Sequence, residues 1–89
     1  MKLEKLRGQI DKIDKKLLKI LAERFVLTRK VGEYKKEASL PARDKVREKQ
    51  VFAQRKKWAE ELDIDRSLVE KLFQLIIKKV CREHKWKNL

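Results

Sequence analysis

The chain has 89 residues, with 26 Lys+Arg against 14 Asp+Glu, one Cys and a formal net charge of +12. A core this small buries only about 60–65% of the chain's surface, so a single domain supported by oligomerisation is expected. The 42% apolar content excludes a disordered polyelectrolyte, lone Cys81 excludes an internal disulfide, and no apolar run reaches the roughly 20 residues a bilayer crossing needs.

From Lys2 to Glu37 no proline interrupts a helical pattern. Two seams of seven-residue spacing run through it: Leu3, Ile10, Leu17, Arg24, Val31, Ala38, and Leu6, Ile13, Ile20, Leu27, Tyr34. Together they give the alternation of a helix packed along one stripe. Gly8 and Gly32 each weaken it by about 1 kcal/mol without stopping it. A helix over 2–37 is predicted, a rod of roughly 50 Å at 1.5 Å per residue. It ends at Ala38-Ser39-Leu40-Pro41, because Pro41 pushes Leu40 out of helical geometry. A second helix is predicted over 43–61, with Asp44 near its positive dipole end. Beyond the turn at Leu62-Asp63-Ile64, Asp65 suits the cap of a third helix over 65–86. Leu68, Val69, Leu72, Phe73, Ile76, Ile77 and Val80 form its inner side, and Lys85-Trp86-Lys87 a basic tail. The fold class is all-α, one long helix and two shorter ones in a single domain over 1–89.

Helices two and three, roughly 30 Å each, cannot cover a 50 Å apolar stripe from within one chain. A second copy is the economical cover, which predicts a homodimeric bundle with intertwined long helices. The alternative is a long helix broken near Gly32 and folded back as a monomer. The opening Met1-Lys2-Leu3-Glu4-Lys5 has no apolar stretch of the secretory kind, and a cytoplasmic location is expected.

The charge excess favours anionic partners, whether nucleic acid, membrane phosphates or a small polyacid, although surface lysines are also plain solubilisers. The placement of the charges says more. Arg24 occupies a seam position between Leu17 and Val31, where a guanidinium is costly unless an anion pairs with it. Alone, it would be read as reaching the helix edge or pairing with a glutamate. Arg7 and Lys35 flank the same stripe, however. On helix two, Asp44, Arg47, Glu48 and Val51 share a face at i, i+3, i+4 and i+7. On helix three, His84 continues the stripe of Phe73, Ile76, Ile77 and Val80. Charged groups aimed at an apolar interior describe a dry cationic pocket rimmed by carboxylates, suited to a small polyanion bearing hydroxyls. Plainer readings go to Cys81, Phe25 and Phe52 (packing), Trp58 (core or interface), Trp86 (a tail contact) and Lys15, Lys16, Lys56 and Lys57 (a solvated face).

The block Leu6-Arg7-xx-Ile10-xx-Ile13-Asp14-xx-Leu17-Leu18-xx-Leu21-Ala22-Glu23-Arg24 resembles the opening of the all-helical chorismate mutases. Val31-Gly32-xx-Lys35, Pro41-x-Arg43-Asp44-xx-Arg47-Glu48 and Leu72-Phe73-Gln74-Leu75-Ile76-Ile77 continue the likeness, in the family's order and spacing. The resemblance implies an intertwined dimer that rearranges chorismate to prephenate without metal or organic cofactor. It implies that Arg7 reaches into the partner's site, and that Arg24 and Lys35 hold the substrate carboxylates, Lys35 also lying near the ether oxygen. Arg47 would help bind substrate, while Asp44 and Glu48 would meet the ring hydroxyl. Catalysis is thus assigned to Lys35, Arg24, Glu48 and His84, with Arg7, Asp44, Arg47 and Val80 completing the binding site.

Two positions depart from the family pattern. Val80 stands where a small polar residue is common, and His84 where Gln or Glu donates to the ether oxygen. An imidazole can replace that donor, and activity would then depend on pH. Three rival functions remain at this level. The segment Arg55-Lys56-Lys57-Trp58-Ala59-Glu60-Glu61 and the tail look somewhat like isochorismate-pyruvate lyases of the same scaffold. A basic helical nucleic-acid-binding domain fits the charge and the two tryptophans, but not arginines set in apolar seams. A non-catalytic relative of the mutases would fit Val80 and His84.

Overall fold

The computed structural model describes residues 2–87, with side chains through residue 84. Three helices follow in chain order: α1 (Lys2–Glu37), α2 (Lys45–Glu61) and α3 (Arg66–Lys87). No strand occurs among the described residues, and the architecture is all-α. The side chains of Lys85, Trp86 and Lys87, and with them the expected tail contact, lie outside the described residues.

The two helix stops are built alike. After α1, Ser39 takes a left-handed φ of 56°, the Ser39 amide donates to the Lys36 carbonyl at 3.2 Å, and the Leu40 amide to the Lys35 carbonyl at 2.8 Å. After α2, Asp63 also has φ 56°, with the Asp63 amide on Glu60 at 3.3 Å and the Ile64 amide on Ala59 at 2.8 Å. Both are Schellman turns, which usually place glycine at the left-handed residue. Neither stop carries a glycine here.

The starts of α2 and α3 are fixed by aspartates. Asp44 is extended (φ −117°, ψ 96°) and its carboxylate accepts from the Arg47 amide at 3.0 Å, so α2 begins at Lys45 rather than at residue 43. Asp65 does the same for α3, accepting from the Ser67 amide at 2.8 Å, and that helix begins at Arg66 rather than at residue 65. A side-chain acceptor there satisfies amides that have no partner within the helix.

Helix α3 packs on both α1 and α2, while α1 and α2 do not pack on each other. Among the described residues, the buried side chains are Val51, Ala59, Ile76 and His84. Phe25 of α1 lies under the Lys79 ammonium of α3 at 4.1 Å, and Lys56 of α2 pairs with Glu70 of α3 at 3.3 Å. Lys56 is therefore a tie between helices rather than part of a freely solvated face. Trp58, expected in the core or an interface, is 43% exposed in the chain.

The first two-thirds of α1 stand clear of the rest. Leu3, Leu6, Ile10, Ile13, Leu17 and Ile20 are all about half exposed or more. The chain exposes 7858 Å². A compact 10.8 kDa protein exposes only about 5,500 Å² by size scaling. The excess, roughly 2,300 Å², sits on a molecule 57 Å long and 15 Å thin.

Candidate active site

Arg24, in the middle of the α1 stripe, places its guanidinium 5.8 Å from the centre of the Phe73 ring on α3. Its Nη1 is buried and has no hydrogen-bond partner. Burial, and then the charge of Arg47 on α2, hold the Arg24 pKa below its ordinary value. Among the described residues no carboxylate answers this charge. A buried donor left without an acceptor is uncommon in a settled core, and fits a group waiting for an anion.

The α1–α2 connection brings a second set of groups together. The left-handed turn at Ser39 folds the chain back so that the Lys35 ammonium donates to the Ala42 carbonyl at 3.0 Å. Lys35 and Asp44 line one hollow of about 560 Å³ together with Arg43. Glu48 and Arg43 line an adjoining groove of about 530 Å³, closed on its far side by Phe52, Ile77 and Cys81. The Glu48 carboxylate is gripped at both oxygens by Arg43, Nε to Oε2 at 2.8 Å and Nη2 to Oε1 at 3.2 Å. The same pairing raises the Arg43 pKa, through the hydrogen bond first and the Glu48 charge second. Glu48 thus stays fixed, and each oxygen keeps a lone pair for a further donor.

His84 is the buried polar side chain, 5% exposed. Its Nε2 lies 3.0 Å from the Thr28 carbonyl, which can only accept, so Nε2 carries the proton. Nδ1 is buried and unpartnered. The neutral ring therefore has no second proton to give a ligand, and the donor role read from the sequence requires the imidazolium. The ring fits because residue 32 is glycine: a Cβ there would stand 2.7 Å from Cδ2 and 2.8 Å from Nε2. Val80, one turn earlier, is half-buried and apolar.

Arg7 is exposed on α1, 17 residues before Arg24 and so about 25 Å away along the axis. Within one chain it cannot meet the other candidates. Arg24 and Arg47 are brought near each other, Lys35 and Asp44 share the hollow at the loop, and Glu48 lines the adjoining groove.

Residues 6–85 match the family described as chorismate mutase type II. The chain belongs to that family. It is 38% identical over 77 residues to a protein named chorismate mutase from Methanocaldococcus jannaschii, covering 86% of this chain and 78% of that one. It is 41% identical over 81 residues to the T-protein of Enterobacter agglomerans, covering 91% of this chain but only 21% of that much longer protein. It is also 32% identical over 85 residues to a 4-amino-4-deoxychorismate mutase from Streptomyces pristinaespiralis, covering 94% of this chain and 66% of that one.

The chorismate mutase type II match runs from Leu6 in α1 to Lys85 in α3, so every candidate residue, Arg7 to His84, lies inside it. Three contributors escaped the sequence reading. Arg43 was quoted in a motif without a role. Gly32 gave only a helix penalty, because its partner His84 is 52 positions away. Arg55 falls at i+4 from Val51 and i+8 from Arg47, a spacing that does place it on the inner face of α2.

Proposed function

We propose that this chain is a chorismate mutase, a single domain acting on the dianion chorismate. The observation that carries the reading is the half-buried Arg24, with a free donor and a repelling Arg47 beside it, in a chain of this family. Such a site is held against its own electrostatics until an anion enters.

The reaction is internal to the substrate: the ether C–O bond breaks as a new C–C bond forms, giving prephenate. No nucleophile, metal or cofactor is needed. Arg24 and Lys35 hold the carboxylates and with them the compact reactive conformer, which removes much of the entropic barrier. Arg47 adds to the grip on substrate. Lys35 stabilises negative charge growing on the ether oxygen, with His84 as the second candidate donor, and each well-aimed donor contributes about 3–4 kcal/mol to the transition state. Asp44 and Glu48 receive the ring hydroxyl, Glu48 through the lone pairs that Arg43 leaves open. Val80 packs against the ring.

The working state is an intertwined homodimer. The bare apolar stripe of α1 and an excess surface of roughly 2,300 Å² support this, because burying that area per protomer is the scale of an obligate interface. A second copy also supplies the Arg7 that no single chain can bring to the site. No described helix is long and apolar enough to cross a membrane, and we place the enzyme in the cytoplasm.

Loss of chorismate absorbance tests the assignment, with wild type beside Arg24→Ala. Rapid loss with prephenate as product, slowed at least a hundredfold by the substitution, is expected. Parallel incubations with isochorismate and 4-amino-4-deoxychorismate separate the neighbouring chemistries. Release of pyruvate from isochorismate, without prephenate from chorismate, would replace the mutase by a lyase.

A further inference from the structure

Arg55 is a half-buried cation of α2 that has no acid partner among the described residues and to which the function above gives no task. Its guanidinium stacks 4.7 Å from the centre of the Trp58 ring and 5.6 Å from that of Phe73. Phe73 is the same ring that carries Arg24 at 5.8 Å. Two guanidinium groups, delivered by two helices, therefore share one aromatic platform on a third. Nη1 of Arg55 donates to the neutral Gln54 amide oxygen at 2.8 Å, while its Nε is buried with no partner. Burial lowers the Arg55 pKa first, and the charges of Arg47 and Arg24 lower it further. Among the described residues no carboxylate pairs with any of the three arginines.

A structural arginine at a helix surface normally finds an acid or reaches water. Arg55 does neither with its Nε, and two π faces keep it beside two like charges. The shared Phe73 ring links the direction of Arg24 to that of Arg55 on α2. Moving Arg55 off the ring would free that platform and let Arg24 turn away from its neighbour.

We propose that Arg55 is a positioning residue for the substrate dianion: through the shared Phe73 ring it fixes the direction of Arg24 and adds a third positive charge to the carboxylate seat. This rests on the mutase reading. The role is in binding rather than in the bond-breaking step, since Arg55 is linked to Arg24 through the ring they share and acts by charge and orientation. Removing it raises KM and leaves kcat nearly alone. Restoring a cation restores much of the binding.

The test compares wild type, Arg55→Gln and Arg55→Lys as full chains, each checked by thermal melting. For Arg55→Gln, KM for chorismate is expected to rise about tenfold with kcat within threefold, and added salt should weaken kcat/KM less than in wild type. Arg55→Lys should recover most of the lost KM. An unchanged KM, a kcat loss without a KM change, or a lysine variant no better than glutamine would each overturn the inference. If wild type does not convert chorismate, the mutase reading fails on its own. The Arg55 inference is then judged by equilibrium binding of chorismate, followed by Trp58 fluorescence in a Trp86→Phe background. Weaker binding by Arg55→Gln supports it; equal binding, or none to either protein, overturns it.

Discussion

The imidazole of His84 lies against the bare α-carbon of Gly32, closer than any side chain at position 32 would permit. A Cβ there would stand 2.7 Å from the ring, and the contact seats Nε2 on the Thr28 carbonyl. Glycine in mid-helix costs about 1 kcal/mol relative to alanine, so α1 carries a helix penalty to admit a ring from α3.

The pair should therefore show a change of sign. Gly32→Ala alone should destabilise by about 1–3 kcal/mol, because the ring must move and its hydrogen bond is lost. In a His84→Ala background the same substitution should stabilise by up to about 1 kcal/mol. Urea unfolding of the four proteins gives the coupling directly, and additive effects would show that the ring does not occupy this seat.

Arg24 should trade stability against activity. Arg24→Met removes a partly buried charge that lacks an acid partner, so thermal unfolding should show stability within about 1 kcal/mol of wild type or above it. The same protein should lose about 10²–10³ in kcat/KM. A large loss of stability would mean that Arg24 is paired in solution and belongs to the scaffold.

On the proposed dimer, Arg7 and Arg24 serve one site from different subunits, which complementation tests. Arg7→Ala and Arg24→Ala should each be nearly inactive, whereas refolding them together at equal concentration should restore about one quarter of wild-type activity. Half of the mixed dimers are hybrids, and each hybrid carries one intact site. Absence of any recovery in the mixture, with dimers present by sedimentation, would confine both arginines to one chain.

Asp44 caps α2, and its proposed second duty at the substrate can be parted from the first. Asp44→Ala should cost about 1 kcal/mol in stability by opening the start of α2. Asp44→Ser keeps a capping oxygen and should retain most of the stability, yet lose the carboxylate proposed to receive the substrate hydroxyl, and with it kcat/KM. Equal kcat/KM for the serine variant and wild type would leave Asp44 as a cap alone.

Asp63 holds a left-handed turn without a glycine. Asp63→Gly should raise stability by roughly 0.5–1 kcal/mol in thermal melts, with no change in KM.

The sequence by itself determined the three helices, because a seven-residue apolar rhythm, one proline and two capping aspartates are local signals. It also exposed Arg24, since a cation in an apolar seam violates its immediate surroundings. It could not date the start of α2 to Lys45, which depends on where the Asp44 carboxylate turns. What only the tertiary structure decided are pairings between distant positions: the His84 ring on Gly32, Arg24 and Arg55 on one Phe73 ring, and Glu48 locked to Arg43. Those depend on the angle at which α3 crosses both other helices. Periodicity reports which face of a helix turns inward, and carries no information about what waits there.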